Sequence, residues 1–393
     1  MSSEGPLRVL YVINGLGEGG AERSLSEMLP ELVRRGVEPT VVCLYRRQEG
    51  VQQQVLDGGF VVRFLPSPKL RERVRALNAI VEERRPALIH TTIFEADLAG
   101  RLAGRRSGVP VLTTLVSTTY APIRRADPNV KPWKLRALQL VDGWTARHWA
   151  THLHANSETV KEAAVRDLGV APERVTVIRR SRDTMRLGQP SAERRLLVRE
   201  RLGVAPDAPL VLNVGRQKYA KGQRTLLEAA ALLAPRYGDL LVLVAGRAGN
   251  LTSRLMAIHE RLDLGERVRF LGHRDDVPDL LAASDVFAFP SLYEGSPGAV
   301  MEAMALDVPV VASDIPSVRE VTADDSALLV PPDDATALAE AIGTVIEDPK
   351  TAWLRATRAR TRFLQRFTVD QVADETMTLY ERLTSRTATA GAR

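Results

Sequence analysis

Apolar positions along this chain fall into short unbroken runs, separated by longer stretches whose apolar residues recur at helical spacing. Leu7-Arg-Val-Leu-Tyr-Val-Ile13 is the first such run, and the amphipathic stretch Ala21 to Arg35, closed by Gly36, follows it. The alternation continues through strands predicted at Pro39–Tyr45, Val61–Leu65, Ala87–His90, Pro110–Thr114, His152–Ala155 and Arg174–Ile178. Helices are predicted over Lys69–Arg85, Glu95–Arg106 and Lys131–Ala150, and another is capped by Ser157. Strands that are apolar throughout are covered on both faces, which predicts parallel sheets between layers of helix. The proline-bearing stretch Ser117 to Lys131 is predicted as a loop at a strand's carboxyl end, where open α/β sheets bind ligands.

Residues 179–205 are polar and basic and carry Gly188-Gln-Pro190, so the crossing between domains is expected there. A second series of strands follows at Pro209–Val214, Leu240–Ala245, Val268–His273, Asp285–Pro290, Val308–Ala312 and Ala327–Val330. Its helices are predicted over Gln223–Ala234 and Ala299–Ala305, and from the Asp333/Asp334 cap to Glu347. Two more lie beyond Pro349, the last near Thr368–Thr384, and the Thr/Ala/Gly/Arg tail from Ser385 is expected to be disordered. The fold class is therefore α/β, with two Rossmann-like domains at 1–187 and 188–366, a closing helix at 367–385 and a tail at 386–393.

Composition changes this picture little. A chain of 393 residues has room for two ordinary domains, and 45% apolar with 26% charged residues suits a soluble globular protein. No uncharged apolar run reaches the roughly 18 residues of a membrane span. The chain passes from Met1-Ser-Ser-Glu-Gly-Pro into a strand without a basic-then-apolar leader, so no signal peptide is expected. The single Cys43 sits in an apolar strand and reads as core, in a cytoplasmic protein. Charge is uneven: residues 1–186 hold 29 Lys and Arg against 20 Asp and Glu, and the remainder 25 against 28. A basic first half suits anionic lipid headgroups at the inner membrane face, or a phosphate-bearing acceptor, as well as a plain arginine-rich habit. Aromatics are only 5% and no basic–aromatic platform is present, which argues against nucleic acid.

Three stretches carry candidate chemistry. Gly15, Gly17 and Gly20 satisfy the G-x-G-x-x-G dinucleotide fingerprint between a strand and a helix. A NAD site wants an acid at the end of the next strand, which ends instead in Arg46-Arg47; an NADP reading survives this test. Gly215-Arg216-Gln-Lys-Tyr-Ala-Lys221-Gly222 places two cations beside glycines at a strand's end, which suits a diphosphate: a planar fork and a point charge. Phe289-Pro-Ser-Leu-Tyr-Glu294-Gly295-Ser296-Pro297-Gly298-Ala299-Val-Met-Glu302 runs from a strand through a small-residue turn into an apolar helix. Free N–H groups and the helix dipole at such a start suit a phosphate, while carboxylates suit sugar or ribose hydroxyls.

The last stretch resembles the donor-site signature of retaining glycosyltransferases of the GT-B fold, glycosyltransferase family 4: Glu-Gly-x-Pro opening a pair of glutamates with seven residues between them. Gly19-Gly20-Ala21-Glu22 is similar to the family's glycine loop, and Arg216 with Lys221 to its Gly-Arg…Lys-Gly motif. The resemblance implies two domains facing across a cleft, with the last helix returning to the first domain. It implies hexosyl transfer from a UDP- or GDP-sugar with retention, with Arg216, Lys221 and Glu294 as catalytic residues. Gly19, Gly20, Gly295, Ser296, Pro297, Gly298, Ala299 and Glu302 would join them in donor binding, Glu302 on the ribose. Glu22, Ser117 and Asp183 would lie on the acceptor side. Two departures fall on that side: Leu115-Val-Ser117 lacks the family's histidine, and Arg180-Ser181-Arg182-Asp183 keeps only the aspartate of Asn-Gly-x-Asp.

No cofactor and no obligatory metal are expected: Asp275-Asp276 and Asp324-Asp325 are adjacent acids that suit helix starts and loops. The acceptor is expected to be a saccharide, a lipid-linked saccharide or a small molecule, as in surface-polysaccharide assembly. A sugar phosphorylase or epimerase, a non-catalytic nucleotide-sugar binder and an NADP-dependent reductase are the alternatives.

Overall fold

A computed structural model describes residues 5–127, 129–323 and 325–390. Asp324 of the paired acids, residues 1–4 ahead of the first strand and residues 391–393 of the tail lie outside the described residues. The chain divides into two compact units. The first holds residues up to Arg125, Val130–Ser181 and the segment from Val369; the second holds Ala126–Asn129 and Arg182–Thr368.

The first unit runs β1 (Leu7–Ile13), α1 (Gly20–Arg34), β2 (Val37–Cys43), α2 (Gln52–Asp57), β3 (Val61–Phe64), α3 (Leu70–Arg84), β4 (Leu88–Thr92), α4 (Phe94–Ser107), β5 (Val111–Leu115), α5 (Pro132–Trp149), β6 (His152–Ala155), α6 (Glu158–Leu168) and β7 (Val175–Val177). These strands form a parallel sheet in the order β3-β2-β1-β4-β5-β6-β7. The two-residue period of a strand sends Val9, Tyr11 and Ile13 to one face and Leu10 and Val12 to the other, and both faces are apolar because helices cover both. Cys43 closes β2 in full burial, which pushes its thiol up to about 12.

The second unit runs α7 (Thr184–Leu187), α8 (Ala192–Leu202), β8 (Leu210–Val214), α9 (Gln223–Leu233), β9 (Leu241–Ala245), α10 (Thr252–Arg261), β10 (Val268–Gly272), α11 (Val277–Ala283), β11 (Val286–Phe289), α12 (Gly298–Ala305), β12 (Val310–Ser313), α13 (Pro316–Thr322), β13 (Leu328–Val330), α14 (Ala335–Glu347) and α15 (Pro349–Arg366). Its sheet is parallel, in the order β10-β9-β8-β11-β12-β13. Leu210, Leu212, Phe287 and Phe289 face one helical layer, and Val211, Val286 and Ala288 the other.

The last helix, α16 (Val369–Ala390), belongs to the first unit. Its Val372, Ala373, Leu379, Tyr380 and Leu383 join Leu29 and Leu32 of α1 in one core. Arg35 binds Asp370 at 2.6 Å and Asp374 at 2.7 Å on the same helix.

Two boundaries differ from expectation. The units divide at Ser181/Arg182, not at 187/188, and the stretch expected to be a crossing contains α7 and α8. Arg199 explains the misreading. It looks like a solvated cation in the sequence, yet it is buried and donates to the carbonyls of Ala283 and Ala205. Helix α16 also continues through Ala390, into the stretch expected to be disordered.

Candidate active site

In the second sheet, β9 and β10 lie on one side of β8, and β12 and β13 lie beyond β11. Chain order therefore reverses between β8 and β11. The loops leaving their carboxyl ends diverge and open a crevice, the usual ligand position in such sheets. The first loop is Gly215 to Gly222, and the second runs from Pro290 to Pro297. They meet at their base, where the Leu292 N–H donates to the Ala220 carbonyl at 2.8 Å. Gly222 has φ +58°, and a Cβ there would overlap the Pro290 carbonyl, so the contact requires glycine. Asn213 donates to the Ala288 carbonyl at 2.9 Å and Gln223 to the Gly215 carbonyl at 2.9 Å, which fixes both loops to the sheet.

This base brings two separate motifs together. Lys221 Nζ lies 2.5 Å from Glu294 Oε1 and 5.5 Å from the centroid of the Phe289 ring. Arg216 projects from the same loop and is exposed. Gly295, Ser296, Pro297 and Gly298 are buried in the turn that opens α12. The Val300 N–H already turns back to the Pro297 carbonyl at 3.1 Å. The amides of Gly298 and Ala299 precede the first intrahelical bond and carry the positive end of the helix dipole. Cation, dipole and carboxylate thus converge at one crevice, an arrangement that can neutralise a diphosphate while a carboxylate accepts from hydroxyls.

Glu302 does not present itself to solvent as the ribose role expects. It is 2% exposed, and its Oε1 accepts from Arg182 Nε at 2.6 Å and lies 3.4 Å from Arg186 Nη2. The reason is the helix that carries it: α12 is apolar on all sides and packs inside the core, where an ionised carboxylate needs a cation. Arg182 and Arg186 were missed because they stand in the stretch read as a basic crossing. An acid inside an apolar helix was the available signal that a cation must reach it.

In the first unit, Gly19 is the N-cap of α1, and Gly20 begins the helix one residue before expectation. A Cβ on Gly19 would overlap the Glu22 carboxylate, and one on Gly20 would lie 3.0 Å from the Arg180 guanidinium. Burial raises the Glu22 carboxyl, opposed by a backbone hydrogen bond and by Arg47 and Arg180. Arg47 also covers the Gly15–Gly17 turn of the dinucleotide fingerprint, its Cγ 3.2 Å from a Cβ on Gly15. Ser117 is exposed and bonds Thr119 at 2.7 Å. Asp183 belongs to the second unit and caps α7, accepting from the Met185 N–H at 2.8 Å.

The sequence did not disclose a pocket of about 100 Å³ in the first unit. It lies at the carboxyl ends of β1, β4, β5 and β6 and under α1 and α16. A hydrogen-bonded chain runs along its wall: Tyr11 to Tyr380 at 2.9 Å, Tyr380 to His90 Nδ1 at 2.6 Å, His90 Nε2 to Thr114 at 2.5 Å and Thr114 to His154 Nδ1 at 3.0 Å. His154 Nε2 ends the chain at the Ile178 carbonyl, 2.8 Å away. A carbonyl only accepts, so His154 carries its proton on Nε2. Burial keeps both rings neutral, with His90 held down to about 3. The direction of every other bond follows: Tyr11 donates to Tyr380, Tyr380 to His90, His90 to Thr114 and Thr114 to His154. Asn156 also lines the pocket, and its buried Oδ1 has no hydrogen-bond partner among the described residues.

Two parallel α/β units of this kind define the GT-B class. The Anabaena protein HepE, solved with UDP and glucose, superposes with a TM-score of 0.84 at 24% identity, over 96% of this chain and all of that one. HepE solved with UDP-glucose gives 0.82 at 25% identity, over 94% and 99%. Residues 195–362 match the glycosyl transferases group 1 family, and residues 19–180 match the glycosyl transferase 4-like domain. The alpha-maltose-1-phosphate synthase of Mycobacterium tuberculosis is 30% identical over 83% of this chain and 88% of its own length. The D-inositol 3-phosphate glycosyltransferase of Xylanimonas cellulosilytica is 30% identical over 95% and 94%. The chain belongs to the group 1, family 4-like glycosyltransferases.

Proposed function

We propose that the chain transfers a hexosyl unit from a UDP-sugar to an acceptor hydroxyl with retention at the anomeric carbon. The observation that carries this reading is the Lys221–Glu294 pair at the β8/β11 crevice, beside the opening amides of α12. Arg216, Lys221 and the amides of Gly298 and Ala299 neutralise the charge that develops on the leaving diphosphate; preorganised donors of this kind are typically worth about 3 kcal/mol each. Glu294 accepts from hydroxyls of the transferred sugar and holds Lys221 in place. The departing phosphate oxygen takes the acceptor's proton on the same face, so no protein nucleophile is needed. Glu302 acts through Arg182, by holding α12 in position. The preference for uridine draws on the UDP-glucose complex of the structural relative. The pocket of the first unit, with Asn156 Oδ1 unpaired among the described residues, receives a hydroxylated part of the acceptor.

The test is a thermal-shift panel of UDP, GDP, ADP and NADP on the wild type and on Lys221→Ala. A ligand at a hundred times its dissociation constant adds about 2.7 kcal/mol. Stabilisation by UDP that weakens in the variant is expected, and stabilisation by NADP alone overturns the reading. Proton NMR of the product, with a chelator present, checks the rest: the anomeric configuration of the donor is kept and turnover continues without free divalent cations.

A further inference from the structure

Helix α5 of the first unit packs against α4 and α6 through Asp142, Gly143, Thr145 and Ala146. Among the described residues, its other face is uncovered. Trp133 is 69% exposed, Leu140 58%, Val141 45% and Trp144 46%. With Ala137 and His148, these residues recur at spacings of three and four, so they form one continuous stripe along the helix. A lone exposed leucine needs no explanation, but two tryptophans and two aliphatic residues on one face do.

The charges beside the stripe are of one sign. Lys134 stands on one side of it and Arg136 on the other, both exposed, while Arg147 turns its guanidinium back to the Leu168 carbonyl. The one acid in the helix, Asp142, is turned inward, bound to Arg101 at 2.7 Å and to the Tyr120 hydroxyl at 3.0 Å. The Lys134 ammonium lies 5.4 Å from the Trp133 ring centroid, and Trp144 stacks on His148 at 4.9 Å. An apolar stripe with tryptophans, bordered by cations and free of outward acids, is how a helix lies in the headgroup layer of a bilayer. A second copy of the chain is the less suitable occupant. Two such faces related by a twofold axis would set these cations against each other.

We infer that α5 docks the first unit onto an anionic membrane surface, its apolar stripe in the acyl boundary and Lys134 and Arg136 among the lipid phosphates. This inference does not rest on the donor reading, since docking requires neither nucleotide nor turnover. Flotation of the full chain with vesicles of equimolar phosphatidylcholine and phosphatidylglycerol, against phosphatidylcholine alone, tests it. Binding to the anionic vesicles is expected, weakened by salt and accompanied by a blue shift of tryptophan emission. Trp133→Ser with Trp144→Ser should weaken it at least about tenfold, and Lys134→Gln with Arg136→Gln about thirtyfold. Trp353→Ser, an exposed tryptophan of the second unit, should leave it unchanged. Absence of binding, or binding that neither double variant weakens, overturns the inference. So does self-association in sedimentation velocity that the double variants abolish, which would give the face to a second copy.

Discussion

Removal of the Arg182 side chain isolates a carboxylate inside the second unit. Glu302 is 2% exposed, and its Oε1 lies 2.6 Å from Arg182 Nε. Arg182→Ala leaves the Arg182 N–H on the Phe367 carbonyl, so the backbone of this segment keeps its anchor. What is lost is the counter-charge. Deleting one partner of a buried ion pair costs about 3–5 kcal/mol, because the surviving charge stays desolvated. Arg186 remains 3.4 Å from the same oxygen, which puts the expected loss near the lower bound, about 3 kcal/mol. Replacing both partners, with Arg182→Met and Glu302→Leu, removes the desolvated charge and should return stability to within about 2 kcal/mol of wild type. Urea titration of the three proteins reads these differences in the midpoint at constant slope. A loss below about 1 kcal/mol for Arg182→Ala, or a double variant as unstable as the single, refutes the argument that α12 needs this pair. The same double variant separates two roles of Glu302. Retained stabilisation by UDP means that Glu302 supports the helix, and its loss means that the carboxylate meets the ribose.

Three further outcomes are expected. Lys221→Ala should lower kcat about a hundredfold or more, measured on release of nucleotide diphosphate, while the melting temperature moves little because the pair with Glu294 is part-exposed. Gly222→Ala forces a side chain into φ +58° and against the Pro290 carbonyl, so a stability loss of about 2 kcal/mol or more is expected by denaturant titration. His90 is held down to about 3 by burial and by the neighbouring His154, whereas the unfolded chain takes up that proton near its ordinary value of 6.5. Stability should therefore fall as pH drops from about 6.5 towards 3, at up to about 1.4 kcal/mol per pH unit from this ring. A melting temperature that stays flat across that range would contradict the neutral Tyr–His chain.

The sequence made the two sheets legible because their strands are apolar throughout, and a run covered on both faces reads the same in either direction of approach. The donor-side motifs were legible for a related reason. Glycine, cation and carboxylate spacings at strand ends report local backbone geometry, which depends on neighbours in the chain. Arg182, Arg199 and Arg101 were not legible. Each is a cation by sequence and a buried ligand of a distant carboxylate or carbonyl by structure, and charge alone does not say which. His90 and His154 were hidden similarly, inside strands where alternation predicted only burial.

From the chain alone come the α/β class, two units of parallel sheet, the glycine turns and the pairing of Arg216 and Lys221 on one loop. These rest on hydrophobic period and turn chemistry, which act over a few residues. Tertiary structure decided that Lys221 reaches Glu294, that Glu302 turns inward to Arg182, and that α16 closes the Tyr11–Tyr380–His90 chain. It also left one face of α5 uncovered among the described residues. Such pairings join residues 73, 120 and 290 positions apart. Only the packing of whole layers, driven by burial of both sheet faces, brings those residues within hydrogen-bond distance.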